Sequence, residues 1–193
     1  MKIEREKKYL IPKDLVEKLI RSSILKIGVI QWYIDKPGFI TDERLLGFKK
    51  FRLRLTFDDK LNKNWVIAIK KDLRKFEREE IEFGIDDSII KLKELKNFRL
   101  TAKIRYFITK PHSDPEIVLD EFLNNCGVKF DINYLLEVES QFDFEEIEKE
   151  YGLENFEVKD FNAFTNERLA KKFNIDTKDL IECLYKKLKN NNK

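Results

Sequence analysis

Residues 51–57 read FRLRLTF, with Phe51, Leu53, Leu55 and Phe57 alternating with Arg52, Arg54 and Thr56. Successive side chains on a β-strand point to opposite faces, so this stretch reads as a strand with one apolar face. The other face carries two guanidinium groups.

The pattern recurs on both sides of this stretch. Upstream, VIQWYID (29–35) sets Ile30, Trp32 and Ile34 against Gln31 and Tyr33. Downstream, NWVIAIKK (64–71) sets Trp65, Ile67 and Ile69 against Lys70, and EREEIEFGI (77–85) sets Ile81, Phe83 and Ile85 against Arg78, Glu80 and Glu82. TAKIRYFI (101–108) opposes Ala102, Ile104, Tyr106 and Ile108 to Lys103 and Arg105. EIVLDEF (116–122) opposes Asp120 to Ile117 and Leu119, and YLLEVESQ (134–141) opposes Glu137 and Glu139 to Tyr134, Leu136 and Val138. The opening MKIEREKKYL (1–10) reads as a charge run, but alternation sorts it: Glu4, Glu6 and Lys8 on one face, Ile3 and Tyr9 on the other. These segments predict eight two-faced strands.

Helical segments punctuate the strands. PKDLVEKLIRS (12–22) starts with proline in its first turn. DDSIIKLKELK (86–96) has acids at its start and lysines at its end, and DFEEIEKEYG (143–152) stops at Gly152. TNERLAKKF (165–173) and DTKDLIECLYKKLK (176–189) follow, the second capped by Asp176 or Thr177. Neither an internal repeat nor a low-complexity linker interrupts the pattern. We read one domain over residues 1–190, and expect disorder only in the last few residues, KNNNK (189–193).

Composition bounds the function. Lys and Arg total 39 against 36 acids, a net charge of +3, which gives no bulk attraction for nucleic acid. The 39% of charged residues therefore serves salt-bridged surfaces or a site holding both signs. His112 is the one histidine, placed in a loop between Pro111 and Ser113, which argues against a histidine triad or a zinc centre. Cys126 and Cys183 match no metal spacing and are expected as two reduced thiols. No apolar run approaches the ~20 residues of a membrane span, and there is no apolar signal region, so the expected location is cytoplasmic.

Eight strands and several helices leave two architectures open. Helices cover the apolar face of an open sheet, or the sheet closes into a barrel with its polar face inward. The polar faces carry paired charges: E-x-E, R-x-R, E-x-E, K-x-R, E-x-E. Alternate residues on a strand lie ~7 Å apart, so one pair can grip one multivalent object. Carboxylates suit Mg²⁺ or Mn²⁺, while Arg and Lys suit phosphate oxygens. A metal-bound polyphosphate satisfies both sets. Solvated faces and cross-strand salt-bridge ladders would produce the same residue types.

The order of these motifs resembles the CYTH superfamily, the triphosphate tunnel metalloenzymes. The hallmark E-x-E-x-K stands here as Glu4-Arg5-Glu6-Lys7-Lys8. IQWYI places Tyr33 at the family's tyrosine position, FRLRL supplies R-x-R through Arg52 and Arg54, and AIK supplies Lys70 with Ala68 replacing threonine. REEIEF, KIRY, LDEF and LLEVES follow through Arg78, Glu80, Glu82, Lys103, Arg105, Tyr106, Asp120, Phe122, Glu137 and Glu139. FTNERLA resembles the late Y-x-N-x-x-L-A segment through Asn166, Leu169 and Ala170, with Phe164 replacing tyrosine. The segment from Asp35 to Lys50 is longer than in compact bacterial members.

The resemblance implies a mainly β, α+β fold: an eight-stranded antiparallel closed β-barrel tunnel with a polar interior and helices packed outside. It implies Mg²⁺ or Mn²⁺ on Glu4, Glu6, Glu137 and Glu139, with Asp120 nearby. It implies a triphosphate held by Lys8, Arg52, Arg54, Lys70, Arg78, Lys103 and Arg105, with Tyr33 reaching the tunnel. Glu80 or Glu82 would orient the attacking water, or would hold Arg78 and the lysines in place. The expected activity is metal-dependent hydrolysis of inorganic tripolyphosphate or a related organic or nucleoside triphosphate. Alternatives are a class IV-like adenylyl cyclase making cyclic AMP and pyrophosphate, a thiamine triphosphatase, and a non-catalytic polyphosphate-binding module. The expected partner is a small-molecule triphosphate, with no membrane, nucleic acid only as a 5′-triphosphate end, and a monomer or homodimer.

Overall fold

The computed structural model describes residues 5–36, 38–45, 48, 50–74 and 77–190, with the side chains of residues 70–80 outside the description. All eight expected strands form: β1 (Glu6–Tyr9), β2 (Leu25–Ile34), β3 (Phe51–Phe57), β4 (Lys63–Arg74), β5 (Glu77–Ile85), β6 (Arg99–Phe107), β7 (Glu116–Phe122) and β8 (Tyr134–Glu139). They pair antiparallel in one sheet of order β1-β8-β7-β6-β2-β3-β4-β5. Among the described residues no ladder joins β1 to β5, so the sheet has two ends where the sequence resemblance implied a closed barrel.

The alternation of β3 is realised directly: its four apolar residues are buried and Arg52, Arg54 and Thr56 are half-buried. The apolar face of the sheet packs Trp32, Leu53, Leu55, Ile67, Ile104, Leu119 and Leu136 into the core. Trp32 and Trp65 stack there with ring centroids 5.7 Å apart. Gly28 lies opposite Phe57 in the β2–β3 ladder, and a Cβ on it would fall 2.4 Å from the buried Phe57 ring. Only glycine lets that ring lie flat across β2.

Helices cover this apolar face. Helix α1 (Lys13–Ser22) follows Pro12, buries Val16 and Leu19, and packs against β7. Helix α2 (Phe144–Tyr151) is capped by Asp143, whose side chain accepts from Glu145 N, and ends at Gly152 in the left-handed conformation. A short turn of helix, α3, spans Asn166–Leu169. Helix α4 (Thr177–Asn190) buries Leu180, Leu184 and Leu188 against β2 and β6.

Three sequence readings change. The helix expected over residues 86–96 is two 3₁₀ turns, Asp87–Ile89 and Leu92–Asn97. Leu92, Leu95 and Phe98 recur every third residue, which matches the three-residue turn of a 3₁₀ helix. The helix expected over 165–173 stops at Leu169, because Lys171 pairs with Leu100 at the edge of β6. Cys126 and Cys183 are not reduced thiols: they form a disulfide across 57 residues, tying the β7–β8 loop to α4. The two cysteines meet because α4 folds back across the sheet, which no local spacing announces. Among the described residues no helix is long and apolar enough to cross a membrane.

Candidate active site

The polar face of β1, β8, β7 and β6 carries one continuous ionic network. Lys8 lies opposite Glu137 in the β1–β8 ladder. Its Nζ donates to Glu137 Oε1 at 2.6 Å and to Glu6 Oε1 at 2.8 Å. The other Glu137 oxygen accepts from Arg105 Nη2 at 2.7 Å. Arg105 forks onto its cross-strand partner Asp120, Nε to Oδ1 and Nη2 to Oδ2, both at 2.8 Å. Lys103 pairs with the same Asp120 Oδ2 and donates to Asn166 Oδ1 at 2.8 Å.

Lys103 and Asp120 are fully buried, Lys8 is 3% exposed and Glu137 6%. Each would lose several kcal/mol on leaving water alone, so each is held by opposite charge. Burial works against the Glu137 carboxylate, but Lys103, Lys8 and Arg105 outweigh it and hold its pKa well below the usual range. Burial likewise opposes the Lys8 ammonium, and Glu137 and Glu6 overcome that and raise its pKa. At Lys103 burial wins, pulling its pKa down despite Asp120. Glu6 is pushed up by burial and by the neighbouring Glu137. Arg105 is pushed up because Asp120 and Glu137 outweigh its burial.

A second group sits on β3 and β5. Arg52 Nη2 and Arg54 Nη2 donate to the two oxygens of Glu82 at 3.0 and 3.1 Å. Ala68 lies between Arg52 and Glu82 in register, on β4. Its methyl group leaves the Arg52 guanidinium room to cross β4, which a larger side chain would obstruct. Burial lowers the pKa of Arg54, whose Nε has no hydrogen-bond partner among the described residues.

Tyr33 faces the same side, opposite Arg52 and Arg99 in the two ladders of β2, with the Arg99 guanidinium 5.8 Å from its ring centroid. Burial raises its pKa. Glu139 is half-buried opposite Glu6 and Glu116. Glu4 lies outside the described residues, as do the side chains of Lys70, Arg78 and Glu80; by backbone register Lys70 pairs with Glu80 and Arg78 with Asp72. Of the site residues read from the sequence, the fold thus joins Glu6, Lys8, Lys103, Arg105, Asp120 and Glu137 in one network and Arg52, Arg54 and Glu82 in another.

The fold is shared with two Pyrococcus proteins. The PH1819 protein of Pyrococcus horikoshii OT3 superimposes with a TM-score of 0.53 at 20% identity, over 82% of this chain and 95% of its own. A conserved hypothetical protein from Pyrococcus furiosus superimposes at 0.51 and 16% identity, over 82% and 97%. The inorganic triphosphatase NE1496 aligns over 88% of this chain and 95% of its own at 21% identity, with a TM-score of 0.47. No family model matches the sequence, and neither does any curated protein.

Two contacts of the site come from residues the sequence reading left out of it. Asn166 reaches Lys103 from α3, and the Phe161 ring lies 5.2 Å from Lys8 Nζ. Asn166 carried a signal, its place in the late motif; Phe161 carried none.

The donor chemistry fits a hard divalent cation in part. Among the described residues no three acidic, cysteine or histidine side chains converge as a ready-made metal cage. Glu6 and Glu137 nevertheless share one ammonium, and each disfavours charge on the other. Mg²⁺ is commonly held by one or two carboxylates, with phosphate oxygens and water completing the shell. Both Asp120 oxygens are already engaged by Arg105 and Lys103.

Proposed function

We propose that this chain hydrolyses triphosphate compounds, inorganic tripolyphosphate first among them, with Mg²⁺ or Mn²⁺. The observation that carries the reading is the Glu6–Lys8–Glu137–Arg105–Asp120–Lys103 network on one sheet face, with Arg52 and Arg54 on a strand of the same face. The ordered motif resemblance points the same way. In this reading β1 and β5 close the sheet around the polar face, and residues 1–190 act as one domain.

Glu6 and Glu137, joined by Glu4 and Glu139, would hold the metal, which when bound polarises phosphate oxygens. Arg52, Arg54, Lys8, Lys103 and Arg105, with Lys70 and Arg78, would bind the phosphate chain, and Tyr33 would border it. Cations fixed in a desolvated face stabilise charge developing on the transferred phosphoryl group without having to reorganise. Asp120 serves as counter-ion to Lys103 and Arg105. When phosphate oxygens take the two guanidinium groups, the Glu82 carboxylate is released to accept a proton from the attacking water, a role Glu80 could share. The water oxygen bonds to the terminal phosphorus, the bridging P–O bond breaks, and pyrophosphate leaves with the electron pair.

The test is phosphate release from tripolyphosphate, thiamine triphosphate, ATP and long polyphosphate, each with Mg²⁺ and with Mn²⁺. Phosphate from tripolyphosphate that disappears in Glu6→Ala supports the reading. Cyclic AMP and pyrophosphate from ATP would instead identify a cyclase, and tight binding without turnover a binding module. Cytoplasmic residence, expected from the sequence, sits against the Cys126–Cys183 bond, since structural disulfides are rare in reducing compartments. Thiol counting on protein taken directly from cells decides between them.

A further inference from the structure

The segment between α2 and α4 runs across the buried half of the site. At one end Glu157 bridges Tyr9, and Val158 N donates to Lys8 O at 2.9 Å. At the other, Lys171 and Leu100 exchange backbone hydrogen bonds of 3.0 and 2.8 Å. The strands so clamped, β1 and β6, are separated in the sheet by β8 and β7, which carry Glu137 and Asp120. Between its anchors the segment meets both buried lysines: Phe161 at Lys8 and Asn166 at Lys103.

Lys103 is fully buried, and an ammonium has three donors and no acceptor. Asp120 Oδ2 takes one donor but is shared with Arg105 Nη2, so it does not by itself fix the direction of Nζ. Asn166 Oδ1 supplies the second acceptor. Its backbone is fixed in turn: Thr165 caps α3 by accepting from Arg168 N, and Leu169 is buried. A carboxylate at this place would also accept the hydrogen bond, but its charge would compete with phosphate for the ammonium. The amide accepts without that competition.

We propose that Asn166 is a positioning residue that aims the Lys103 ammonium at the phosphate chain while placing no negative charge beside it. This rests on the triphosphatase reading above. The experiment pairs NMR of ¹⁵N-lysine-labelled protein with calorimetric binding of tripolyphosphate in the absence of divalent metal. Wild type should show a slowly exchanging Lys103 ammonium resonance, assigned by its loss in Lys103→Met. In Asn166→Ala that resonance should broaden or vanish, with tripolyphosphate binding weakened about tenfold, as for loss of one hydrogen bond to a charged group. Asn166→Asp, close to isosteric, should keep the resonance and still lose at least as much affinity. That split separates aiming from simple packing. An unchanged resonance and unchanged affinity in Asn166→Ala overturns the positioning role, as does full affinity in Asn166→Asp. A wild-type chain that shows the Lys103 pattern yet binds no triphosphate overturns the triphosphatase reading instead.

Discussion

The two halves of the sheet hold charge differently. On β1, β8, β7 and β6, Lys8, Lys103, Asp120 and Glu137 are buried, interlocked with half-buried Glu6 and Arg105, and met by the segment before α4. On β3 and β5 two half-buried arginines, Arg52 and Arg54, share one carboxylate, Glu82, whose side chain is 39% exposed. A buried network cannot lose one member cheaply, because the remaining charges stay desolvated. A pair with its carboxylate in solvent exchanges partners at lower cost. The first half is therefore the more rigid frame, and the second trades a carboxylate for a ligand at less cost.

Breaking the frame should have the largest effect. Asp120→Ala leaves Lys103 and Arg105 without their shared counter-ion and should cost about 3–5 kcal/mol in urea denaturation. A loss below about 1 kcal/mol would mean that the two halves do not differ. Behind the same half, the disulfide restrains a loop spanning 57 residues, so Cys126→Ser should cost about 2–4 kcal/mol. Wild type in reductant should melt like the variant; equal melting with and without reductant would show that the bond is dispensable.

The pH dependence sharpens the contrast. The folded-state pKa of Glu137 lies below its ordinary 4.5, so its stabilising contribution is present above pH 4.5 and declines as pH falls through the folded value. Glu137→Gln should cost about 2 kcal/mol at pH 7, the scale of hydrogen bonds to charged groups. That deficit relative to wild type should shrink steadily below pH 4.5; a constant deficit from pH 7 to pH 3 would contradict the assignment. Smallest in stability is Glu82→Ala, expected within about 1 kcal/mol of wild type. It should still slow phosphate release severalfold, and full activity would remove Glu82 from proton transfer.

Much of the frame was legible because alternation is local. FRLRLTF declares two faces without reference to any other strand, and so do the segments around Lys103, Asp120 and Glu137. Asp143 and Gly152 likewise mark the ends of α2 through their own backbone chemistry. The segment at 86–96 misled for the same local reason: end charges suited to an α-helix overrode a three-residue apolar spacing. Asn166 could be noticed in its motif, but its contact with Lys103 spans 63 residues of chain and depends on the Leu100–Lys171 bridge.

By itself the sequence determined which side chains share a face, because a period of two follows from backbone geometry alone. It separated Glu6 and Lys8 from Tyr9, and Arg52 and Arg54 from the core. Only the tertiary structure decided who meets whom. Lys8 finds Glu137 at a distance of 129 residues along the chain, Glu82 takes both arginines across Ala68, and Cys126 closes on Cys183. Those choices follow from strand order and helix placement, which are set by burying one continuous apolar face rather than by any short stretch of sequence.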